Sequence, residues 1–537
     1  MMDIAKTCIQ RLQEMKTERQ CFEQEWRECY EMAAPERLPD FDGVKEDTKR
    51  VRAKLFDTTG ADATQVLASS IVSGTTPANA VWFKAVPDGV DDQGEITEGE
   101  RWLDNACRTM WRNIHGSNFD SEIPDTVLDS IVAGWGVLYI SEDDEDGFVF
   151  ENWAIGNTYI SSTKRSGVID TVYRVHSMTA KAIVTEYGED SVHRTIADAC
   201  KKEPNKRFDI LHVIQPRKGD YTKRDGLPTA LPFSSYHIDI ANSALIKESG
   251  YKDFPCAVPR LYKKSSSFYA VGQVSKALPS MKTLNAHSKM MLESAEMAIF
   301  GMWAARDDGV LNPSSLRIGP KKLAIVNDIN SLQRIDGGGN YQISQYEADR
   351  LERGIKRTLM ADQLHGVDGP AMTATEVTER VNLIRQQLGP MFGRWQSELL
   401  SSILARCFAI EMDRGTFGEI PEELMSTSMQ FKFINPLARS QQLEEVANTE
   451  MFFGSLGQLA IIEPTILDNV NFDSAANVLA SGRGVPDSIM RSAREVSELR
   501  EARQKAQQEQ QQAQQQQELQ AGAMEMAAKA TQGGNNV

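Results

Sequence analysis

The chain has 537 residues, 41% hydrophobic and 25% charged, so most of it should fold, into roughly three to four domain-sized units. Its 75 acidic and 59 basic side chains leave a net charge of -16, which argues against tight, phosphate-based binding of nucleic acid. An acidic wall would still let a polyanion pass without sticking to it.

The cysteines and the apolar segments indicate where the protein is made. Its seven cysteines are scattered and none forms a Cys-x-x-Cys pair, which favours reduced thiols. The N-terminus lacks the apolar segment of a secretory signal, and the longest apolar stretch, Ile131 to Ile140, is about half a membrane span. We therefore expect a soluble protein made in a cytoplasm.

Helical periodicity dominates the first part of the chain. Residues 3–32 show an amphipathic helix, a second helix begins near Asp57 with Asp and Thr as caps, and a third spans Trp102 to Ile114. The apolar face predicted for the first helix holds Ile4, Cys8, Leu12 and Met15.

The middle of the chain changes to β-type runs separated by turn residues, which predicts an antiparallel meander. The acidic cluster 142–146 is expected to be a solvated hairpin turn, because it lacks the alternating spacing of a calcium-binding loop. The predicted strands are Val137–Ile140, Phe148–Glu151, Thr158–Ser161, Val172–His176, Ile210–Ile214 and Val258–Tyr262.

Helices return after the meander. Pro279 can open a helix that runs to about Phe300, a compact β-containing insert follows at 303–342, and 344–364 is helical with opposite charges three and four residues apart. From 375 to 415 the apolar spacing predicts a helix of about 40 residues, roughly 60 Å long, kinked at Gly389-Pro390. A strand at 430–434 and short helices to about 503 precede a Gln-rich tail.

Motifs for catalysis or metal binding are missing from this sequence. We find no phosphate-binding G-x-x-x-x-G-K-[ST] loop, no His-Glu-x-x-His and no G-x-S-x-G elbow. The glycines at 337–339 favour a turn, and Trp82, Phe83 and Trp395 favour core positions. We expect no enzyme activity, no metal and no cofactor.

Four segments, in this order, resemble the portal, or head-to-tail connector, proteins of short-tailed bacteriophages. The resemblance spans about residues 50–440. The segments are Leu55–Gly60 with its continuation through Thr76-Pro77 to Trp82-Phe83, Gly134–Tyr139, Glu248–Pro255, and Thr373–Val377 with Leu388-Gly389-Pro390, Arg394 and Glu398–Leu400.

The resemblance implies an α+β, mostly helical portal-type subunit that assembles into a ring. A helix, a small insert and a returning helix form a hairpin that buries too little surface alone, and neighbours in a cyclic homo-oligomer would supply the missing burial. The implied parts are a wing (1–276), a first stem helix (277–301), a clip (302–343), a second stem helix (344–364), a channel loop (365–374), a long kinked helix with the return strand of the wing (375–440), a crown (441–503) and a Gln-rich tail (504–537) that is a helical barrel or disordered.

Candidate site residues follow from these implied parts. Gly389 and Pro390 would form the helix kink. The DNA-facing channel loop would present His365, Val367, Asp368, Met372 and Thr373, and the clip would dock its partners through Arg306, Lys321, Lys322 and Arg334.

By the same resemblance, the ring is expected to be a homododecamer at the capsid vertex of the virion, made in the bacterial host cytoplasm. Double-stranded DNA would pass through it non-specifically. Its protein partners would be the terminase large subunit, tail adaptor or tail tube proteins, and the major capsid and scaffolding proteins, with no membrane. The alternatives are a scaffolding or assembly factor, suggested by the helices and the Gln-rich tail, and a DNA-packaging nuclease or ATPase.

Overall fold

The structure of the chain is a computed structural model, and it forms two compact units. One contains Met1–Ala80 and Met110–Thr416, and the other contains Val81–Thr109 and Phe417–Val537. The structure describes residues 2–41, 48–87, 98–143, 147–217, 231–300, 302–305, 332–335, 341–361, 393–421, 424, 429–433, 449–459, 465–466, 470–472, 475–476, 479–480, 496–497 and 499–506.

The helices of the described residues are numbered in chain order. A π-helical turn at Gln396–Leu400 leads directly into the last of them. The helices are α1 Met2–Ala33, α2 Thr48–Arg52, α3 Thr59–Thr75, α4 Glu98–Gly116, α5 Phe119–Ala133, α6 Ala180–Tyr187, α7 Arg194–Lys202, α8 Gln273–Phe300, α9 Tyr341–Thr358 and α10 Ser401–Arg414.

All strand pairings within the described residues are antiparallel. The strands are β1 Phe83–Pro87, β2 Leu138–Asp143, β3 Gly147–Asn152, β4 Thr158–Ser161, β5 Thr171–Thr179, β6 Arg207–Pro216, β7 Phe233–Asp239, β8 Ala244–Tyr251, β9 Cys256–Ala257, β10 Tyr262–Lys263, β11 Ala270–Val271, β12 Met302–Ala305, β13 Leu332–Ile335 and β14 Met429–Phe433.

The largest sheet has five strands in chain order, β4-β5-β6-β7-β8, which confirms the predicted meander. Helix α1 packs on one face, where its predicted apolar stripe is buried against Tyr159, Tyr173 and Leu211. Helices α6 and α7 pack on the other, through Ile183 and Ile196. Both faces of the sheet therefore lie within apolar packing layers, which excludes water from them.

The second unit contains a strand pair formed by residues far apart in the chain. Strand β14 pairs with β1, with Phe83 opposite Phe433. Trp82 is fully buried and stacks on Phe433 at 6.4 Å between ring centroids, so Trp82 and Phe83 are core residues as predicted. The strand predicted at 430–434 is therefore confirmed, one residue earlier.

Several predicted elements agree with the structure. Helix α1, the helix after Asp57 and the helix around Trp102 are present, and α10 ends at Gly415 in the left-handed conformation. The Asp57 carboxylate accepts the Thr59 backbone N–H at 3.0 Å, at the start of α3, where Thr58 is the N-cap residue. Of the acidic cluster, Glu142 and Asp143 are the last residues of β2 and pair with β3, and 144–146 lie outside the described residues. The predicted helix between 375 and 392 lies outside the described residues.

Other predictions were wrong. The strand expected at Val258–Tyr262 is absent, and short strands β9 and β10 flank that segment instead. Helix α8 begins at Gln273, so Pro279 lies inside it rather than opening it. Helix α9 is Tyr341–Thr358 instead of 344–364, and Met360 follows it with a φ of 59° that interrupts the helix. The division of the chain into wing, stem helices, clip, channel loop and crown stays a prediction.

Candidate assembly site

The helices α8 and α9 form a hairpin that corresponds to the predicted pair of helices around an insert. Strands β12 and β13 follow α8 and precede α9, and they pair with Met302 opposite Ile335. At the other end, the Gln273 side-chain amide donates to the Thr358 carbonyl at 2.6 Å. The first residues of α8 therefore lie beside the last residues of α9, and the helices run antiparallel.

The base of this hairpin is fixed by a close approach of two backbones. Gly134 ends α5 with a φ of +93°, and a Cβ on it would lie 2.5 Å from the Val271 carbonyl carbon. A Cβ on Gly272 would lie 2.4 Å from the Val132 carbonyl oxygen. Only glycine fits at both positions, which explains the first residue of the Gly134–Tyr139 segment.

Helix α3 presses on α8 in the same way. A Cβ on Gly60 would lie 2.0 Å from the Met281 methyl carbon, so the glycine that closes the Leu55–Gly60 segment admits the Met281 side chain. Met281 is 4% exposed. The first of the four resemblance segments thus packs against the lower half of α8, which is the half that begins at Gln273.

Polar contacts also tie the lower half of α8 to the rest of its unit. The Asn285 side-chain oxygen accepts the Phe56 N–H at 2.7 Å and the Asp57 N–H at 3.3 Å, while its amide donates to the Lys54 carbonyl. Lys282 pairs with Glu28 at 2.5 Å. The hydrogen bond from Lys282 lowers the pKa of the Glu28 carboxyl, with a further contribution from a hydrogen bond to Gln24.

The upper half of the hairpin exposes apolar side chains. Met290 is 64% exposed, Leu292 58% and Ile299 74%, and Tyr346 on α9 is 62% exposed. In the lower half of α8 the apolar residues are buried instead: Val274, Ala277, Leu278, Met281 and Leu284. One helix thus changes from core to exposed apolar surface along its length, which is a mark of a surface that a partner covers.

The outward residues of α9 carry mixed charge. Arg350 approaches Glu347 at 3.4 Å and Lys356 approaches Glu352 at 4.0 Å, which confirms the predicted pairs along this helix. All four side chains are well exposed, so these pairs contribute little to stability. They keep the hairpin hydrated beside its apolar residues.

The fourth resemblance segment takes part in a buried ion pair with Arg260, which follows the third segment in the chain. Arg260 donates to Glu398 twice, from Nη2 to Oε1 at 2.6 Å and from Nε to Oε2 at 3.1 Å. Arg260 is 3% exposed and Glu398 17%. Lys252 also binds the Asp413 carboxylate at 2.7 Å. The Lys252–Asp413 pair joins the Glu248–Pro255 segment to α10, but both side chains are exposed, so it contributes little to stability.

The Trp135 ring of the second segment belongs to an aromatic cluster with α1. Its centroid lies 5.6 Å from that of Trp26 and 5.2 Å from that of Tyr269. Phe22 lies 5.7 Å from Trp26. All of these rings are buried, so the segments that carry the family resemblance are mainly structural joints.

One predicted site residue lies in the described part of the chain. Arg334 is in β13, opposite Trp303. The other predicted docking residues, Arg306, Lys321 and Lys322, lie outside the described residues. So do the channel-loop residues His365, Val367, Asp368, Met372 and Thr373 and the kink residues Gly389 and Pro390.

The sequence-based reasoning missed the residues that anchor the hairpin. Asn285, Gln273 and the Glu28–Lys282 pair form contacts across 85 or more positions of the chain, so no local pattern announces them. The two glycines at the base were the one local signal in the sequence. Gly134 directly follows a helix and Gly272 directly precedes one, as glycines at close backbone contacts often do.

Metal sites and membrane spans were also sought in the described residues. No group of three or more His, Cys, Asp or Glu side chains there could hold a metal ion. No helix in that part of the chain combines the length and the hydropathy needed to cross a bilayer.

The fold and the site together define a class of protein with mixed helices and strands. A helical hairpin is anchored in it at the base of the hairpin, and the upper half of the hairpin exposes apolar side chains. Comparison with known proteins identifies the family. Residues 5–490 match the family described as bacteriophage head to tail connecting protein. The chain belongs to this family, which confirms the resemblance seen in the four segments.

Individual relatives agree with this assignment. The chain is 25% identical over 509 residues to the portal protein of Salmonella phage epsilon15, covering 91% of this chain and 89% of that protein. It is also 25% identical over 510 residues to the probable portal protein of Bordetella phage BPP-1, covering 92% and 90%.

Solved structures similar to this chain come from gene transfer agent particles. One is a chain in the neck of an empty particle computed with C6 symmetry, with a TM-score of 0.36, 11% identity, and coverage of 75% of this chain and 90% of that one. Another is a chain in the native virion, with a TM-score of 0.31, 9% identity, and coverage of 77% and 89%.

Proposed function

We propose that this chain is the subunit of a homododecameric portal ring at the capsid vertex, through which double-stranded DNA is packaged and later ejected. Synthesis takes place in the bacterial host cytoplasm, and the ring becomes part of the virion. The observation that carries the proposal is the α8–α9 hairpin, whose base is built into the subunit and whose apolar upper half is uncovered in a single chain.

The hairpin supports a ring because its exposed residues require a partner that repeats. Met290, Leu292 and Ile299 are about two thirds exposed, so each would gain roughly 1–2 kcal/mol on full burial. A heterologous interface between identical subunits provides that burial to every copy. It closes into a ring when the rotation that relates neighbouring subunits is a whole fraction of 360°. A lone chain would leave these side chains in water.

The charge of the chain supports passage of DNA without capture. The net charge of -16 disfavours tight contact with phosphates, so an acidic channel would repel the polyanion from its wall. In the proposed arrangement, the loop at 365–374 presents His365, Val367 and the other channel residues to the passing duplex. Contacts there are non-specific and few.

The partners are assigned to the parts of the subunit in the same proposal. The clip, with Arg306, Lys321, Lys322 and Arg334, docks the terminase large subunit during packaging and a tail adaptor or tail tube protein afterwards. The wing meets the major capsid and scaffolding proteins. The long helix, kinked at Gly389 and Pro390, would carry shape changes between these surfaces.

Native mass spectrometry and negative-stain images of the purified protein test the ring. We expect a dodecamer with an open centre. Leu292→Glu places a charge in the proposed interface and should shift the protein to small oligomers or monomers with unchanged circular dichroism. Lys181→Glu, on the exposed side of α6, is the matched control and should leave the ring intact. A monomeric wild-type protein would contradict the proposal.

A deletion tests the channel loop. Removal of residues 366–371 should preserve ring assembly, because the proposed interface lies on the hairpin, but should change DNA packaging or retention in complementation of a portal-deficient phage. Normal packaging and retention with this deletion would refute the channel-loop assignment.

The alternative functions make different predictions. A packaging ATPase would hydrolyse ATP in the purified state, so steady turnover that tracks with this chain through purification would favour the enzyme. A scaffolding factor should be elongated and should leave the mature particle. A rod in negative stain, or loss of the chain from finished virions, would favour that second alternative.

A further inference from the structure

A cavity of about 460 Å³ lies between one end of the five-stranded sheet and helix α10. Both walls belong to the first compact unit. The volume falls in the range of about 300–1,000 Å³ found for small-ligand pockets. The walls are largely apolar and include Val168, Ile169, Phe233, Phe254, Val258 and Phe408.

Most of the charged groups around this cavity are already balanced. Glu398 is bound by Arg260 through two hydrogen bonds. The Asp170 carboxylate accepts the backbone N–H of Thr163 at 2.9 Å and the Thr163 hydroxyl. Lys164 and Asp253 are both exposed, and their opposite charges offset one another.

Arg406 differs from Glu398 and Asp170 because its guanidinium has no hydrogen-bond partner among the described residues. It lines the cavity, and its Nε is buried without a hydrogen-bond partner among the described residues. No carboxylate of the described chain lies within ion-pair distance of its guanidinium, and its one aromatic neighbour is Tyr251, whose ring centroid is 5.8 Å from Cζ. Arg406 is half-buried, but its buried Nε–H lacks an acceptor, which a bound anion would supply.

We propose that this cavity binds an apolar group that carries a carboxylate. The carboxylate lies on the Arg406 guanidinium, and the apolar part packs against Phe254 and Val258. Arginine presents a planar fork of donors that matches a carboxylate, which explains the choice of this side chain over lysine. Phe254 belongs to the third resemblance segment, and the neighbouring Glu398 to the fourth. The inference does not depend on the ring.

Two sources can present this chemistry: a free carboxylic acid, or an acidic and apolar segment of a polypeptide. Ligand-observed saturation-transfer NMR and titration calorimetry on the full-length protein distinguish them. The probes are 3-phenylpropionate for the free acid and a blocked Phe-Glu dipeptide for the polypeptide. The probe with the higher affinity identifies the source, and 3-phenylpropionamide is the uncharged comparison.

We expect Arg406→Gln to weaken the better acidic probe about ten- to hundredfold, the loss typical of a charged hydrogen-bonded contact. Ala409→Phe should also abolish binding, because it fills the cavity without changing charge. Arg194→Gln, at an arginine whose side chain is 91% exposed, is the matched control and should bind like wild type.

Clear outcomes would overturn the inference. These are no binding of either acidic probe by the wild-type protein, equal affinity for the acid and its amide, or full affinity in a folded Arg406→Gln protein. Should Arg406→Gln fail to fold, as judged by circular dichroism, the Ala409→Phe protein decides: retained binding there refutes the cavity as the site.

Discussion

Acid should destabilise this protein through a row of basic side chains that crosses the five-stranded sheet. Arg174, His212, His237 and Lys247 stand opposite one another on four successive strands. The His212 and His237 rings stack with centroids 4.1 Å apart. His212 bonds the Ser235 hydroxyl, and the Tyr187 hydroxyl bonds His237.

Burial holds the two histidines neutral. It lowers the pKa of His237 to about 3, with help from the charges of His176 and Lys247. Burial likewise takes the pKa of His212 well below 6.5, and the proximity of His237 lowers it further. The pKa of His176 falls to about 4 through burial and the nearby Arg174, while Glu151 and Asp209 oppose the shift.

The direction of the effect follows from proton binding. Below pH 6.5 the unfolded chain takes up protons that the folded chain refuses, so folding stability is full above that pH and is lost as pH falls towards the folded pKa values of about 3 and 4. At pH 5, about 1.5 units below the unfolded value, each neutral histidine costs about 2 kcal/mol. His212, which is 5% exposed, and His237 together cost about 4 kcal/mol at most, on that scale.

Urea unfolding followed by tryptophan fluorescence at about pH 7.5 and 5, at one protein concentration, measures this loss. The lower pH, about 5, lies above the ordinary pKa of carboxyl groups, so the histidines account for most of the change in unfolding free energy between the two pH values. The double variant His212→Gln and His237→Gln should show a much smaller loss between the two pH values, whatever its absolute stability. The exposed His193→Gln should retain the wild-type loss. An unchanged loss in the double variant would refute the reasoning.

Three further predictions concern the joints of the first unit and its thiols. Glu398→Gln leaves the Arg260 guanidinium buried without its counter-ion and should cost about 3–5 kcal/mol in chemical unfolding, whereas replacing both partners by Met and Leu should cost less. Gly134→Ala should lower the melting temperature far more than Gly415→Ala, because both glycines have positive φ but a Cβ meets neighbouring backbone only at Gly134; equal shifts would contradict the close-packing argument. Maleimide followed by mass spectrometry should label the exposed Cys21 before the five buried cysteines, and early labelling of a buried thiol would show local opening.

Helices and strands with one solvent-exposed face were predictable, because their polar and apolar residues alternate with the period of the element. The apolar stripe of α1 through Cys8, Leu12 and Met15 appeared in the structure as predicted, as did five of the six strands predicted for the meander. Helix α5 was missed for the converse reason: from Thr126 to Ala133 every residue is buried, including Asp129 and Ser130, so no polar face remained there to reveal its period.

Local residue choice misled the prediction where tertiary contacts compensated. Strand β7 carries Ser234, Ser235 and His237, which a sequence pattern assigns to solvent but which are hydrogen-bonded within the fold. Pro279 suggested a helix start, yet α8 begins at Gln273, where its side chain reaches the end of α9. Packing outweighed the local signal in both cases.

The sequence by itself determined the family, the succession of helix, meander and hairpin, and the acidic character of the subunit, since these depend on residue types and their order. Tertiary structure decided what those segments do. Arg260 and Glu398 are 138 residues apart, and Gly134 meets Val271 and Gly272 from a distant part of the chain. Contacts between positions so far apart leave no periodic trace, so only the folded chain reveals the base of the hairpin and the place of Arg406 in the cavity wall.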